Sequence, residues 1–296
     1  MEKGTRSLIS FDYAVKRLLR NKANYEVLEG FLSELFKRQI RINSILESES
    51  NKERKEDKYN RVDMLVRDEN GELLIIEIQF SYEIDYFHRM LFGTSKTICD
   101  YMAEGIPYED IKKVYSVNIV YFDLGTGEDY IYHGKTHFTG FHQHDELKLS
   151  PSQRETFKKQ LAGDIFPEYY ILKVNRFNDI AKDTLDEWIY YLKNSRIQDG
   201  FHAQGLQRAQ EVLNKSCLSE EERREYEKEV DIRRSNDSTV KSAKIEGRIE
   251  GEAIGFEKGK IEMIRKSYNA GIPVETIASI SGMALEEVKA ILNIGL

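Results

Sequence analysis

The chain has 296 residues, 40% of them hydrophobic and 11% aromatic, which is typical of a folded protein long enough for two structural units and excludes an intrinsically disordered chain. The net charge of −7 argues against bulk attraction to nucleic acid, although residues 1–62 carry more Lys and Arg than Asp and Glu, so any nucleic-acid surface is expected there. The sequence has no run of about 18 apolar residues and no N-terminal signal pattern, so we expect neither a membrane-spanning segment nor secretion.

Two helices are predicted at the start of the chain. Apolar residues recur at helical spacing in residues 11–19 and again in 27–36, on either side of a polar break at 21–24. These apolar residues are Phe11, Val15, Leu18, Leu19, Val27, Leu28, Phe31, Leu32, Leu35 and Phe36. Residues 48–58 are rich in charged side chains, so we expect them to form a solvated loop.

From residue 59 the pattern changes to that of a β-hairpin. Apolar and polar residues alternate over 62–66, and residues 73–80 form a second extended and largely apolar segment. The residues between these segments fit a three-residue loop in which Gly71 adopts the left-handed conformation and Asp68 and Glu72 close the turn. Counting outward from this closing pair gives the residue opposite each strand position.

The count places Asp63 opposite Glu77. Directly opposed residues have Cβ atoms about 4.5–5.5 Å apart, where two carboxylates repel each other and either have raised pKa values or need a cation between them. Gln79 shares the face of Glu77, whereas Ile78 points to the opposite face. A register slip of one residue would disperse this group, so the prediction depends on the glycine bulge.

A polar hairpin face exposed to solvent would show the same alternation, and it remains the alternative at this point. The second strand is apolar on both faces near the acidic pair, from Leu73 to Ile76. Strands that are apolar on both faces are central in their sheet, so this segment favours a partly buried site over a solvated face.

Further strands and helices are predicted up to about residue 200. A long amphipathic helix over 84–103 is expected to end at Gly105, with Pro107 beyond it. The other predicted elements are strands at 114–122, 129–133 and 169–174 and a helix at 180–192. Residues 134–167 have no clear periodicity, and no element is predicted there.

Beyond about residue 200 the sequence is charged and helical. We expect three segments: an α/β core over 1–200, a charged helical connector over 201–240, and a glycine-repeat helix with a small helical cap over 241–296. In the last segment glycine recurs at every fourth position, at Gly247, Gly251, Gly255 and Gly259. Each glycine costs a helix about 1 kcal/mol relative to alanine, so we expect either helix–helix contact between protomers or a flexible tether.

Residues 274–292 predict two short helices around Ser281-Gly282, similar in arrangement to a helix-turn-helix. Helices that read DNA present Arg, Lys, Asn or Gln to the base edges. The second helix begins instead with Glu286 and Glu287 and offers only Lys289. We therefore interpret the terminal segment as a cap that contacts protein.

Asp63 followed by a hairpin and by Glu77-Ile78-Gln79 resembles the D…(D/E)xK signature of the restriction-endonuclease-like PD-(D/E)XK superfamily. The Glu-x-Gln variant is that of the Rpn recombination-promoting nucleases, which are also described as putative transposases. The likeness extends over nearly the whole chain. Its further markers are Asp12-Tyr13-Ala14-Val15-Lys16, His88-Arg89, Ser95-Lys96, Gly105, Tyr108, the strand at 117–122, Glu187-Trp188, Tyr191-Leu192 and the glycine-spaced tail.

The resemblance implies a DNA endonuclease with an α/β fold: a restriction-endonuclease-like mixed sheet of four or five strands flanked by helices, with an all-helical C-terminal extension. It also implies that Asp63 and Glu77 ligate Mg²⁺ or another divalent cation, that the Ile78 carbonyl is a further ligand, and that an activated water attacks the phosphodiester. Gln79 stands where the superfamily usually has lysine. An amide can position water but brings no positive charge. Three consequences of this replacement stay open: slower phosphodiester hydrolysis, the use of a second metal ion, or an inactive site.

Basic residues near this hairpin are expected to contact DNA. Arg89 and Lys96 lie two helical turns apart on one face of the predicted helix, and Lys16 follows Asp12 by four residues on the first helix. The alternatives are solvated helix faces and, for Lys16, a surface ion pair with Asp12. Many superfamily members also take an acidic residue from the first helices, and the candidates here are Glu26, Glu29 and Glu34.

The two cysteines, Cys99 and Cys217, are far apart and have no neighbouring His or Cys, which argues against a zinc site and a disulfide scaffold and favours a cytoplasmic location. We therefore expect a cytoplasmic Mg²⁺-dependent endonuclease that acts on DNA and forms a homo-oligomer through its C-terminal helices. The competing interpretation is a catalytically inactive nuclease-fold module that binds or regulates, because Gln79 and the acidic net charge also fit lost nuclease activity. Recombination, transposition and defence stay open as biological roles.

Overall fold

The structure is a computed structural model that describes residues 8–17, 19, 21–46, 63–102 and 107–294; for residues 16, 17 and 216 it describes the backbone alone. The chain divides into two compact units, Met1–Tyr226 and Glu227–Leu296. The three segments expected from the sequence, with boundaries at 200 and 240, stay a prediction. The predicted loop at 48–58 and the predicted helix end at 103–105 lie outside the described residues.

Helices and strands alternate through the first unit, and the second unit is helical. The helices are α1 (Phe11–Arg17), α2 (Tyr25–Phe36), α3 (Tyr86–Asp100), α4 (Pro151–Phe157), α5 (Thr184–Asn194), α6 (Leu206–Val212), α7 (Glu220–Asn269), α8 (Val274–Ser281) and α9 (Leu285–Leu292). The strands are β1 (Ile42–Leu46), β2 (Met64–Asp68), β3 (Leu73–Gln79), β4 (Val114–Val120), β5 (Ile131–Gly134) and β6 (Glu168–Lys173). Among the described residues, none of the helices has the length and apolar character needed to cross a bilayer.

The strands form one six-stranded mixed sheet in the order β1-β2-β3-β4-β6-β5. β4 is parallel to both of its neighbours, β3 and β6, and the other three pairings are antiparallel. The predicted α/β fold with a mixed sheet and flanking helices is therefore confirmed. The four or five strands implied by the resemblance were wrong, since the sheet has six. The strand that was not predicted is β1, an edge strand in which only Ile42 is buried, so its residues lack a core-facing pattern.

The predicted hairpin turn is confirmed between β2 and β3. The Asp68 N–H donates to the Glu72 carbonyl at 3.0 Å, and Gly71 has a φ of 77°, in the left-handed region that favours glycine. The Asp68 side chain stabilises the loop further, since its Oδ1 accepts hydrogen bonds from the N–H groups of Asn70 at 2.9 Å and Glu72 at 2.8 Å. This closure fixes the register along both strands.

Helices cover both faces of the sheet. On one face, Tyr86 and Met90 of α3 pack in a buried cluster with Val120 of β4. On the other face, the Phe36 ring at the end of α2 packs edge-on against Tyr115 of β4, with 5.0 Å between ring centroids. The central parallel strands are therefore buried on both sides, as the apolar runs in their sequences predict.

Helix α4 lies within the interval for which no element was predicted. Ser150 Oγ accepts a hydrogen bond of 3.3 Å from the Gln153 N–H, and Gln153 Oε1 accepts one of 2.9 Å from the Ser150 N–H. This capping box is followed by Pro151 at the first helical position. Seven residues are too few to display helical periodicity, so the cap was the only local signal and it was missed.

The second unit contains most of α7 together with α8 and α9. Ile264, Ile277 and Val288, one from each helix, form its buried cluster. The two terminal helices predicted from the sequence are present, and Gly282 ends the first of them with a φ of 64°. Their predicted role as a protein-contacting cap stays a prediction.

Gly30 gives a test of packing around α2. A Cβ atom at this position would come within 2.3 Å of the Gln204 carbonyl oxygen and 2.6 Å of the Gly205 Cα atom. Alanine normally stabilises a helix interior by about 1 kcal/mol relative to glycine, but this overlap is with backbone and cannot be relieved by a rotamer change. We expect Gly30→Ala to destabilise the chain by about 1–3 kcal/mol in urea unfolding followed by circular dichroism.

Gly134→Ala is the control, because a Cβ atom in this strand residue would make only ordinary van der Waals contact, with Tyr169 at 3.6 Å. This substitution should leave stability unchanged or raise it by up to about 1 kcal/mol. If both variants shifted the unfolding midpoint upward, the close approach described at Gly30 would be wrong.

Candidate active site

The hairpin register places Asp63 beside the second strand. The antiparallel ladder ends at the pair Met64 and Ile76, in the register that the turn geometry predicted, and Asp63 immediately precedes this pair. Asp63 Oδ2 accepts a hydrogen bond of 2.8 Å from the Ile78 N–H. This bond holds the Asp63 carboxylate against β3, next to the residue that carries the second carboxylate. Both acids are partly buried.

Both carboxylates act on one buried hydroxyl group. Tyr86, the first residue of α3, is 1% exposed, and its hydroxyl donates to Asn118 Oδ1 at 3.2 Å. Burial raises the pKa of Tyr86 far above its ordinary value, and the negative charges of Glu77 and Asp63 raise it further. Glu77 also lies beside Asn118 in the parallel pairing of β3 with β4. The two negative charges therefore add at the same place, which favours a cation there.

Arg89 on α3, predicted to contact DNA, lies at this acidic group. Its Nη2 is 3.7 Å from Glu77 Oε2, and its Nη1 is 2.9 Å and 3.1 Å from the two carboxylate oxygens of Glu83. Partial burial by itself would lower the pKa of Arg89, but the charge of Glu77 and the hydrogen bond to Glu83 raise it. The guanidinium group is therefore charged and shared between two carboxylates.

Gln79 lies on the same face as Glu77, one pleat further along β3. Its Nε2 donates hydrogen bonds to Glu83 Oε1 at 2.7 Å and to the Ser81 carbonyl at 3.2 Å. Glu83 thus connects Gln79 with Arg89. Glu83 was not predicted from the sequence, because it lies in the loop between β3 and α3, where neither helical nor strand periodicity marks a side chain.

A pocket opens beside Glu77, between the sheet and α3. Its volume is about 240 Å³, including the part open to solvent. It is lined by Ile75, Glu77, Tyr86, Arg89, Met90, Gly93, Thr94, Ser116 and Asn118. Ser116 and Asn118 were not predicted as site residues, although two polar residues at alternate positions interrupt the apolar run of β4 and so mark one of its faces.

The other predicted DNA contacts are less closely connected to the site. Lys96 lies two turns beyond Arg89 on α3 and forms an exposed ion pair of 3.1 Å with Asp100. Lys16 belongs to α1, but its side chain lies outside what the structure describes.

Two of the three proposed first-helix acids have other partners. Glu29 binds Arg41 Nη1 at 2.9 Å and the Ile42 N–H at 2.8 Å. Glu34 accepts a hydrogen bond of 2.6 Å from Thr184 Oγ1, and Glu26 is exposed in the first turn of α2. Glu29 therefore ties α2 to β1, and Glu34 ties it to α5. Glu83 is an additional acid, among the described residues, whose contacts reach the hairpin residue Gln79.

The donor atoms at the hairpin suit a hard divalent cation. The described residues contain no group of three or more His, Cys, Asp or Glu side chains placed to hold a metal ion. The carboxylates at this end of the hairpin are those of Asp63 and Glu77, since Asp63 accepts a hydrogen bond from the N–H of Ile78, the residue after Glu77. Mg²⁺ typically takes one or two carboxylates and keeps several of its waters. The oxygen donors and the local excess of negative charge fit such an ion.

The mixed sheet, its flanking helices and the acidic hairpin at its centre define an α/β protein of the nuclease type. The chain belongs to the PD-(D/E)XK nuclease family transposases, whose family model matches residues 9–243. This match confirms the family indicated by the sequence motifs. No curated protein and no solved structure matches the chain. Family membership supports a nuclease-type function and implies DNA as the substrate.

Proposed function

We propose that the protein is a Mg²⁺-dependent DNA endonuclease that hydrolyses phosphodiester bonds. The observation that carries the proposal is that the Asp63 carboxylate accepts a hydrogen bond from the N–H of Ile78, the residue after Glu77, and that the charges of Asp63 and Glu77 both act on the buried Tyr86 hydroxyl. Asp63, Glu77 and the Ile78 carbonyl are the groups that would hold the ion. When bound, Mg²⁺ supplies activation of the attacking water and neutralisation of phosphate charge.

Gln79 and Arg89 together replace the lysine of the usual signature, which both positions water and supplies positive charge. The Gln79 amide can orient the attacking water by a hydrogen bond, but it has no charge to offset the negative charge that develops on the phosphate. Arg89 is charged, lies 3.7 Å from Glu77 and can bind a phosphate through two N–H groups. We therefore assign water positioning to Gln79 and phosphate contact to Arg89, with Lys96 and Lys16 as further DNA contacts.

The same arginine favours a second candidate function, a catalytically inactive nuclease-fold module that binds or regulates. Its guanidinium group partly neutralises Glu77, and Gln79 replaces the usual lysine. Calorimetric titration separates the two functions: an active site should bind Mg²⁺ more tightly once DNA is added, whereas an abandoned site should bind it equally with and without DNA.

The proposed function makes a prediction for the two carboxylates, Asp63 and Glu77. Asp63→Asn and Glu77→Gln keep side-chain size but remove the charge that holds a divalent cation, so each should reduce nicking of supercoiled plasmid in Mg²⁺ by at least about 100-fold. Removal of Mg²⁺ with a chelator should abolish nicking by the unaltered protein. Gel separation of supercoiled and nicked plasmid over time measures the rate.

Glu69→Gln is the matched control for these variants. Glu69 is an exposed acid on the turn of the same hairpin, at the end away from Glu77, so its neutralisation should leave the nicking rate unchanged. Equal nicking by the unaltered protein, Asp63→Asn and Glu77→Gln would refute the endonuclease assignment.

A further prediction concerns the proposed contact of Arg89 with a DNA phosphate. A protein that neutralises one phosphate fewer loses about one unit from the slope of log affinity against log salt concentration. Arg89→Ala should show this loss in DNA binding followed by fluorescence anisotropy. Lys112→Ala should not, because Lys112 is an exposed lysine next to the hairpin turn at Gly71, beyond the opposite end of β3. Identical slopes for both variants would remove Arg89 from the DNA-binding surface.

We further propose that the protein self-associates through its C-terminal helices and acts in the cytoplasm. The four repeat glycines lie in α7, and a Cβ atom at any of them would meet nothing within 4 Å. Contact between protomers would offset their cost of about 1 kcal/mol each. Light scattering should give fewer chains per particle for a chain ending at residue 239 than for the full chain, and an equal number would contradict the proposal.

A further inference from the structure

Glu83 is the acid that joins the two residues assigned above to water and phosphate. It lies in the loop between β3 and α3, and its carboxylate accepts hydrogen bonds from Gln79 Nε2 at 2.7 Å and from Arg89 Nη1 at 2.9 Å and 3.1 Å. Its side chain is 32% exposed. Neither the sequence motif nor the family match assigns this residue a function.

The contacts of Gln79 determine which atom of its amide faces the site. The oxygen and nitrogen of an amide are told apart by the hydrogen-bond network around them. The Glu83 carboxylate and the Ser81 carbonyl only accept hydrogen bonds, so the Gln79 amide must turn its nitrogen toward them. Its oxygen is then directed away from Glu83 and is the atom that can accept a hydrogen bond from water.

Glu83 also competes with Glu77 for Arg89. The guanidinium lies within hydrogen-bond distance of both Glu83 oxygens, whereas its distance to Glu77 is 3.7 Å, beyond that of a hydrogen bond. The stronger contact therefore holds Arg89 on Glu83. Without Glu83, the same guanidinium would close on Glu77 and neutralise one of the two carboxylates that a divalent cation requires.

We propose that Glu83 is a positioning residue of the nuclease site: its carboxylate turns the Gln79 oxygen toward the attacking water and keeps Arg89 from pairing with Glu77. This inference rests on the proposed endonuclease function and adds a residue to it. Glu83 acts through Gln79 and Arg89 and does not itself contact the substrate.

The test compares Mg²⁺ affinity with nicking kinetics in the full-length protein. Glu83→Ala should weaken Mg²⁺ binding without DNA about tenfold, because Arg89 moves onto Glu77, and should lower kcat for nicking about tenfold or more with a smaller change in KM. Isothermal titration calorimetry with Mg²⁺ alone measures the affinity. The nearly isosteric Glu83→Gln should change both quantities in the same direction, which guards against misfolding of the alanine variant.

The double variant Glu83→Ala/Arg89→Ala isolates the competition for Glu77. It should recover the Mg²⁺ affinity of the unaltered protein, because no guanidinium remains to pair with Glu77, while its kcat stays low. A purely structural Glu83 would produce no such recovery. Glu211→Ala is the control, since it removes an exposed ion pair with Arg208 on α6 and should change neither quantity.

Each result decides one claim. Mg²⁺ affinity and kcat equal to those of the unaltered protein in both Glu83 variants would overturn the inference, as would a double variant that binds Mg²⁺ no better than Glu83→Ala. If the unaltered protein binds Mg²⁺ but does not nick DNA, the proposed function fails, and the calorimetric comparison still decides whether Glu83 keeps Arg89 from Glu77.

Discussion

The hydrogen bond from the Asp68 N–H to the Glu72 carbonyl closes a turn in which Gly71 has positive φ, and this closure decides which residues of β2 and β3 face each other. Side chains alternate between the two faces of a strand, so a slip of one residue would separate Asp63 from Glu77. Arg38 and Lys159 stabilise the closure by ion pairs with Glu72 at 2.6 Å and 3.0 Å. The turn at one end of the hairpin therefore sets the strand register at the other end, where the candidate site lies.

A concentration of negative charge follows from that register. Asp63, Glu77 and Glu83 all raise the pKa of the buried Tyr86, and Arg89 lowers it. One guanidinium shared between two carboxylates leaves an excess of negative charge on the sheet face, which is unfavourable in a partly buried site unless a further cation binds. The same negative charge explains why Arg89 is held between Glu77 and Glu83.

Elements with a strong local signal were predictable from the sequence, and those without one were not. The hairpin turn was predictable, because an Asn-Gly loop between two apolar segments has few alternative conformations. Strand β1 was not, because an edge strand of five residues with one buried side chain carries no distinctive pattern. Asn118 was visible as a polar residue in an apolar strand, but its contact with Tyr86 joins residues 32 positions apart, and no local pattern predicts such a contact.

The sequence by itself determined the α/β fold, the family and the hairpin register, because motifs, turn chemistry and strand alternation are local properties of the chain. Only the tertiary structure decided that α3 lies over that face of the sheet, which brings Arg89 to Glu77 and Glu83 to Gln79. Those contacts depend on how a helix packs against neighbouring strands. Packing is set by the complementary shape and charge of segments distant in sequence, which residue spacing alone does not specify.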